Sequence, residues 1–203
     1  MTSNLTHWDK IYQNQNHSQV SWHQDRATIS FDWIINNAPK NSAIIDVGSG
    51  ASVLADNLLE AGYVDLSLLE ISPIAIQAVQ KRLNIHAEKL TFYNENVLNF
   101  QSKVQFDVWH DRAVFHFLTD PKDQQTYLKK LNQQLKKEGL FLLATFSPEG
   151  PSQCSELDVV QYDVEKITHL LGGQFKLLKT TTEMHPRPNG ETQHFNYFLF
   201  KKN

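Results

Sequence analysis

Residues Ala43–Pro73 read AIIDVGSGASVLADNLLEAGYVDLSLLEISP, and this stretch decides how the chain folds. The apolar run Ala43, Ile44, Ile45 and Val47 has the length and branching of a buried parallel strand, with Asp46 set just ahead of two glycines. Gly48 and Gly50 free the backbone to take positive φ and let a ligand approach the main chain. From Ser52 onward, Val53, Leu54, Leu58 and Leu59 recur at helical spacing until Gly62 ends the helix. A second strand, Leu66–Leu69, closes on Glu70, and 70 − 46 = 24 residues between the two acids is the span of one strand-helix-strand unit. Glycines at the first strand end and an acid at the tip of the second form the pattern that receives an adenosine, the acid accepting hydrogen bonds from the ribose hydroxyls.

Two kinds of adenosine cofactor compete for such a unit. A dinucleotide rests its pyrophosphate on the helix N-terminus and calls for G-x-G-x-x-G, but Val53 stands where the third glycine belongs. That residue, and a chain too short to add a substrate domain, disfavour an NAD-dependent oxidoreductase. The form D-x-G-x-G-x-S instead resembles motif I of the class I S-adenosyl-L-methionine (SAM)-dependent methyltransferases, D/E-x-G-x-G-x-G, with Ser52 in place of the last glycine. EISPIAI, Glu70–Ile76, is similar to the acid-x-Ser-Pro-x-Ala segment of the same superfamily. The resemblance extends over nearly the whole chain, to a small bacterial subgroup akin to lysine- and thiopurine-type methyltransferases. It implies an α/β fold: a Rossmann-like, doubly wound, seven-stranded, mostly parallel sheet with a reversed C-terminal strand. It also implies SAM as cofactor, with Asp46, Gly48, Ser49, Gly50, Glu70 and Ile71 among its contacts. Ser52, and Asn96 further on, depart from the pattern and leave a non-catalytic SAM or adenosine binder as the alternative.

The bulk properties agree with one enzyme-sized unit. The 203 residues, 40% of them hydrophobic, suffice for a single domain with a full core, read as a lid-like helical arm over 1–38 and a Rossmann-like core over 39–203. A net charge of −3 and the lack of a long Lys/Arg run argue against a nucleic-acid partner. No run approaches the ~18 apolar residues of a membrane span and no signal core opens the chain, so a cytoplasmic protein is expected. Cys154 is the only cysteine, which fits a reducing compartment, and nothing around it marks a nucleophile.

Outside the opening unit, three regions carry polar groups of interest. Thr6–Trp22 combines large aromatics with a polar interior and reads as helix, loop, helix. Trp8, Ile11 and Tyr12 fall on one helical face, and the W-D-x-x-Y…S-W pattern resembles an arm that folds over SAM, which implies cofactor contact for Trp8, Tyr12 and Trp22. A further helix with Phe31, Trp33, Ile34 and Ile35 stops before Pro39. After a third strand, Leu90–Tyr93, Asn96 and Val97 stand where the superfamily reads the adenine edge, Asn96 replacing the usual acid through its amide oxygen. The fourth strand, within Gln105–Phe117, brings Asp111 and His116 to the sheet's carboxyl edge, where open parallel sheets bind ligands. Asp111 is placed to orient the acceptor and His116 to take its proton.

Asp120-Pro121 starts a long helix that carries Tyr127, Leu128, Leu131 and Leu135 on one face up to Gly139, and Leu140–Phe146 reads as the fifth strand. A turn-rich loop with Cys154 follows, and Asp163 caps a helix to Leu171. Strands Phe175–Thr182 and Gln193–Phe200 flank the Asn189-Gly190 turn. The nine histidines show no H-x-H or H-x-x-x-H pair, so no metal site is expected. Methyl transfer from a sulfonium is an in-line displacement that needs no protein nucleophile, and the sequence leaves the acceptor open between a small molecule and a protein side chain.

Overall fold

A computed structural model describes residues 2–14 and 19–203. Five strands, β1 (Ala43–Val47), β2 (Asp65–Glu70), β3 (Leu90–Asn94), β4 (Phe106–Arg112) and β5 (Leu135–Phe146), run parallel. A short hairpin, β6 (Gln153–Cys154) and β7 (Leu157–Asp158), stands apart, and β8 (Phe175–Pro186) and β9 (Thr192–Lys202) complete the main sheet. The sheet order is β3-β2-β1-β4-β5-β9-β8, and β9 is antiparallel to both neighbours. The fold is thus the α/β, Rossmann-like, seven-stranded sheet expected, with its last strand reversed. Chain order reverses between β1 and β4, the switch point where such sheets open a crevice.

Among the described residues six α-helices cover the sheet or its edge: α1 (Thr2–Asn14), α2 (Thr28–Asn37), α3 (Leu54–Glu60), α4 (Pro73–Leu83), α5 (Pro121–Gln134) and α6 (Val164–Leu171). Their starts follow local chemistry. Ser72, Asp120 and Asp163 each accept a backbone N–H of the first turn, and prolines stand at the head of α4 and α5.

Strand periodicity divides the core in two. Ile44, Leu66, Leu68 and Val108 pack with Phe31, Trp33 and Ile34 of α2, Leu54 and Leu58 of α3, and Val79 of α4. Ile45, Val47, Leu69 and Trp109 pack on the other face with Tyr127 and Leu131 of α5 and Ile167 of α6. Since neighbours along a strand face opposite ways, Asp46, His110 and Arg112 share the first face, while Asp111 belongs to the second with Trp109. Parallel pairing sets Asp46 directly opposite His110.

Three boundaries differ from the sequence reading. Helix α5 ends at Gln134, not near Gly139, because Leu135 turns extended to bury itself and pair with Phe106. Lys202 then donates to the carbonyls of Asn132 and Leu135, two acceptors the helix end leaves open. The closing hairpin is longer than expected, its pairing running out to Pro186 and Thr192. In the arm, residues 15–18 of the expected helix-loop-helix lie outside the described residues, and residues 20–27 show turns, bends and irregular chain in place of a helix.

Candidate functional site

The turn after β1 is shaped by its glycines. Gly48 (φ 59°) and Gly50 (φ 52°) both sit in the left-handed region. A Cβ on Gly48 would collide with Val114, and one on Gly50 with the hydroxyl of Tyr12. Gly48 N and Ser49 N donate to Leu69 O, clamping the turn to the end of β2. Outside the motif, Arg82 of α4 fixes the next residues, donating to Ala51 O (2.8 Å), Ser52 O (2.6 Å) and the Asp56 carboxylate. Val53 is the N-cap of the seven-residue α3.

Glu70, at the tip of β2, lies on the cleft wall with its carboxylate held by two backbone N–H groups, Gly50 N to Oε2 and Ser72 N to Oε1, both 2.8 Å. Burial pushes its pKa up to about 7; the N–H bonds from Ser72 and Gly50 oppose the rise, and the charge of Asp46 adds to it. Asp46 is also buried on this wall: Oδ1 bonds His110 Nδ1 at 2.6 Å, and Oδ2 has no partner. The neighbouring Ser49 Oγ is buried and unpartnered as well. Two carboxylates and an open hydroxyl thus converge on the glycine turn.

At the β4 edge, His110 Nε2 meets Ser30 Oγ of α2 at 2.8 Å, so Ser30, His110 and Asp46 form one buried chain along the cleft. Two residues on, Arg112 also faces the cleft. Asp111 does not. Its carboxylate accepts Val114 N (2.9 Å), Phe115 N and the Tyr127 hydroxyl (2.5 Å) on the opposite face. Burial raises its pKa to about 6, against the lowering effect of those donors. His116 follows in a 3-10 turn, Phe115–Phe117, where it is fully buried beside Phe117 and Phe146. Burial, aided by the charge of Arg112, drives its pKa down to about 3. Neither Asp111 nor His116, the two residues expected to act on the acceptor, borders the cleft. The strand alternation turns Asp111 inward, and the turn at Ala113 (φ 71°) carries His116 behind the wall.

The arm adds aromatic side chains to the cleft lining. Trp8 meets Trp22 and Phe117 edge-to-face at 5.9 and 5.2 Å, and Tyr12 meets Trp22 at 6.5 Å. Asp9 accepts the Ser72 hydroxyl at 2.6 Å, tying α1 to the head of α4. Burial raises the pKa of Tyr12 well above its ordinary value, and Glu70 adds to that. Trp8, Tyr12 and Trp22 all line the cleft.

Ile71 and Val97 line the far end beside β2, with Asn96 between Val97 and Glu95. The amide oxygen of Asn96 accepts Leu98 N at 2.9 Å, a turn bond that already engages the atom expected to read an adenine. Cys154 is buried in the cleft lining, and burial raises its thiol pKa. Among the described residues no cluster of three metal-ligating side chains occurs, and no helix is long and apolar enough to cross a membrane. Ser30, His110 and Arg112 escaped the sequence reading. The alternation that hides Asp111 would have pointed to the last two; Ser30 comes from a helix remote in sequence.

Residues 38–189 match the methyltransferase domain family. The chain belongs to that family. This methyltransferase is 22% identical over 157 residues to the human EEF1A lysine methyltransferase 2, a match covering 68% of the chain and 66% of that relative. A SAM-dependent methyltransferase from Anabaena variabilis superposes with a TM-score of 0.75 at 16% identity, covering 100% of this chain and 94% of the other. The Burkholderia thailandensis 1,6-didemethyltoxoflavin-N1-methyltransferase, solved with 1,6-didemethyltoxoflavin and S-adenosylhomocysteine bound, superposes at 0.69 with 17% identity, covering 100% and 85%. At these identities the structural likeness speaks for the fold of the methyltransferase, while the family match speaks for methyl transfer.

Proposed function

We propose that this methyltransferase binds SAM between the β1 turn and the tip of β2 and methylates a small molecule lodged against the β4 edge. The observation that carries the reading is the pair of buried carboxylates, Asp46 and Glu70, on either side of a turn whose two glycines hold positive φ. The unpartnered Asp46 Oδ2 and Ser49 Oγ suit a ligand with an ammonium or hydroxyl groups. Two carboxylates in one desolvated cleft would repel a pyrophosphate, which counts against a nicotinamide dinucleotide.

In this assignment Glu70 accepts the ribose hydroxyls, and Asp46 and Ser49 face the amino-acid end. Ile71 and Val97 flank the base, Asn96 contributes through whatever its turn bond leaves open, and Trp8, Tyr12 and Trp22 exclude water. SAM supplies a methyl group on a positively charged sulfur, so the chain's own work is alignment and desolvation. Ser30 offers an exit for an acceptor proton: with Nδ1–H of His110 donating to Asp46, Nε2 accepts from Ser30 Oγ, which in turn can accept from the acceptor. The aromatic roof favours a small acceptor over a protein side chain, and the cell compartment consistent with the single, unpaired Cys154 is the cytoplasm.

Calorimetry with S-adenosylhomocysteine tests the cofactor assignment. Micromolar binding, with none for NAD, is the expected result; no binding at high micromolar concentration ends it. Transfer of label from methyl-labelled SAM to the small-molecule fraction of a cell extract supports the acceptor assignment. Label found only in protein, or nowhere, overturns it.

A further inference from the structure

The acceptor wall holds a charge that methyl transfer itself does not require. Arg112, at the end of β4, is nine-tenths buried, its side chain only 10% exposed. Nε donates to the Tyr197 hydroxyl (2.9 Å) and Nη1 to the Trp22 carbonyl (3.0 Å), and the guanidinium carbon lies 4.6 Å from the centre of the Phe195 ring. Nη2 is buried and makes no hydrogen bond. Glu183 forms an ion pair with the guanidinium, Oε2 lying 3.7 Å from Nη2, beyond hydrogen-bond range. Its oxygens are taken up by the Tyr197 hydroxyl (2.7 Å) and Gln24 Nε2 (3.1 Å). Those partners hold Glu183 beside the guanidinium without letting it close.

A buried guanidinium with idle N–H groups is unfavourable unless a second acceptor arrives. Arg112 borders a cleft walled here by Trp22, Phe117 and Phe195, with its unpartnered Nη2 buried behind that lining. In the sheet order, β1 separates this wall from β2 and Glu70, so it lies away from the end assigned to the ribose. A planar anion matches the guanidinium fork, and flat apolar surface matches the rings.

We infer that the acceptor is a small molecule with a carboxylate that pairs with Arg112 and a flat, apolar body that packs against the aromatic wall. This inference rests on the SAM reading and specifies the other half of the same cleft. Arg112 is then a specificity-determining residue: it anchors the acceptor, and the rings set the reach from the anchor to the methylated atom.

The test uses the intact chain with S-adenosylhomocysteine, and ligand-detected NMR titrations of benzoate, phenylacetate and indole-3-acetate against their primary amides. The carboxylates should bind at least about tenfold more tightly than the amides, as expected of a charge-assisted hydrogen bond. Arg112→Gln should erase that preference. Because Arg112 also ties the arm to β9, a second variant separates anchoring from a scaffold role: Glu183→Gln removes the competing acid and should tighten carboxylate binding several-fold, an effect that mere stitching would not produce. Equal binding of acids and amides to the wild type, a preference that survives in Arg112→Gln, or no tightening in Glu183→Gln overturns the inference. Calorimetry with S-adenosylhomocysteine alone on the same samples tells the two failures apart: without that binding the cofactor reading falls too, and with it only the acceptor class does.

Discussion

The β1–β2 edge and the β4 edge both end in acids beside a turn, yet their acids do opposite things. At the first edge, Asp46 and Glu70 face the cleft and retain unpartnered or partly engaged oxygens. At the second, Asp111 spends its carboxylate on Val114 N, Phe115 N and Tyr127, behind the wall. There the cleft is served by its strand neighbours His110 and Arg112. An acid at a strand tip therefore marks a site only when the strand's alternation aims it there. Asp111 still shapes the site indirectly, by fixing the turn that lays Val114 against Gly48.

The comparison predicts that Asp111→Ala is the most damaging change to stability. It strands two N–H groups and a tyrosine hydroxyl in the interior, at a cost of about 3 kcal/mol in denaturant unfolding. Asp111→Asn keeps an acceptor oxygen and should recover at least half of that. A loss no larger than a surface substitution gives would show that the inward acid is idle, and the contrast between the edges would disappear.

Gly48→Ala comes next. Left-handed backbone at a residue with a Cβ and a clash with Val114 together cost about 2 kcal/mol, read as weaker S-adenosylhomocysteine binding and a lower Tm. The double variant Gly48→Ala/Val114→Ala should regain only the steric share.

Glu70 sets a pH signature of intermediate size. Its carboxyl is raised to about 7 by burial, and the ionised form is the one that accepts ribose hydroxyls. If binding restores an ordinary carboxylate pKa, affinity for S-adenosylhomocysteine should fall about tenfold from pH 8 to pH 6 and level off in Glu70→Gln. The sign for folding is reversed. A carboxyl raised in the native state stabilises the free protein fully below about pH 4.5, and that contribution is lost as pH rises through about 7. The difference in Tm between wild type and Glu70→Gln, followed across that range, checks this sign.

The smallest effect is expected at His116. With its pKa held near 3 behind the wall, His116→Asn should leave labelled-methyl turnover within about twofold, whereas His110→Asn, which disturbs the Ser30 chain, should lower it further and shift its pH profile. Loss of turnover in His116→Asn alone would return the base to the position the sequence suggested.

Periodicity and turn chemistry were enough to read the strand-helix-strand opening, the capped helices and the final hairpin, because each depends on residues close in sequence; the seven-stranded sheet with its reversed last strand was what the resemblance to the methyltransferases implied. Ser72, Asp120 and Asp163 cap helices from immediately before them, and Gly190 turns the last hairpin with φ 86°. The end of α5 was misread because burying Leu135 outweighs the helical pattern continuing to Gly139. By itself, then, the sequence determined the architecture and the position of the glycine turn between two acids. Only the tertiary structure decided which polar side chains meet in the cleft. Ser30 reaches His110 across 80 residues, and Tyr197 holds Arg112 across 85. Such pairings depend on how strands register and which face each residue presents, and a shift of one residue exchanges the cleft for the core.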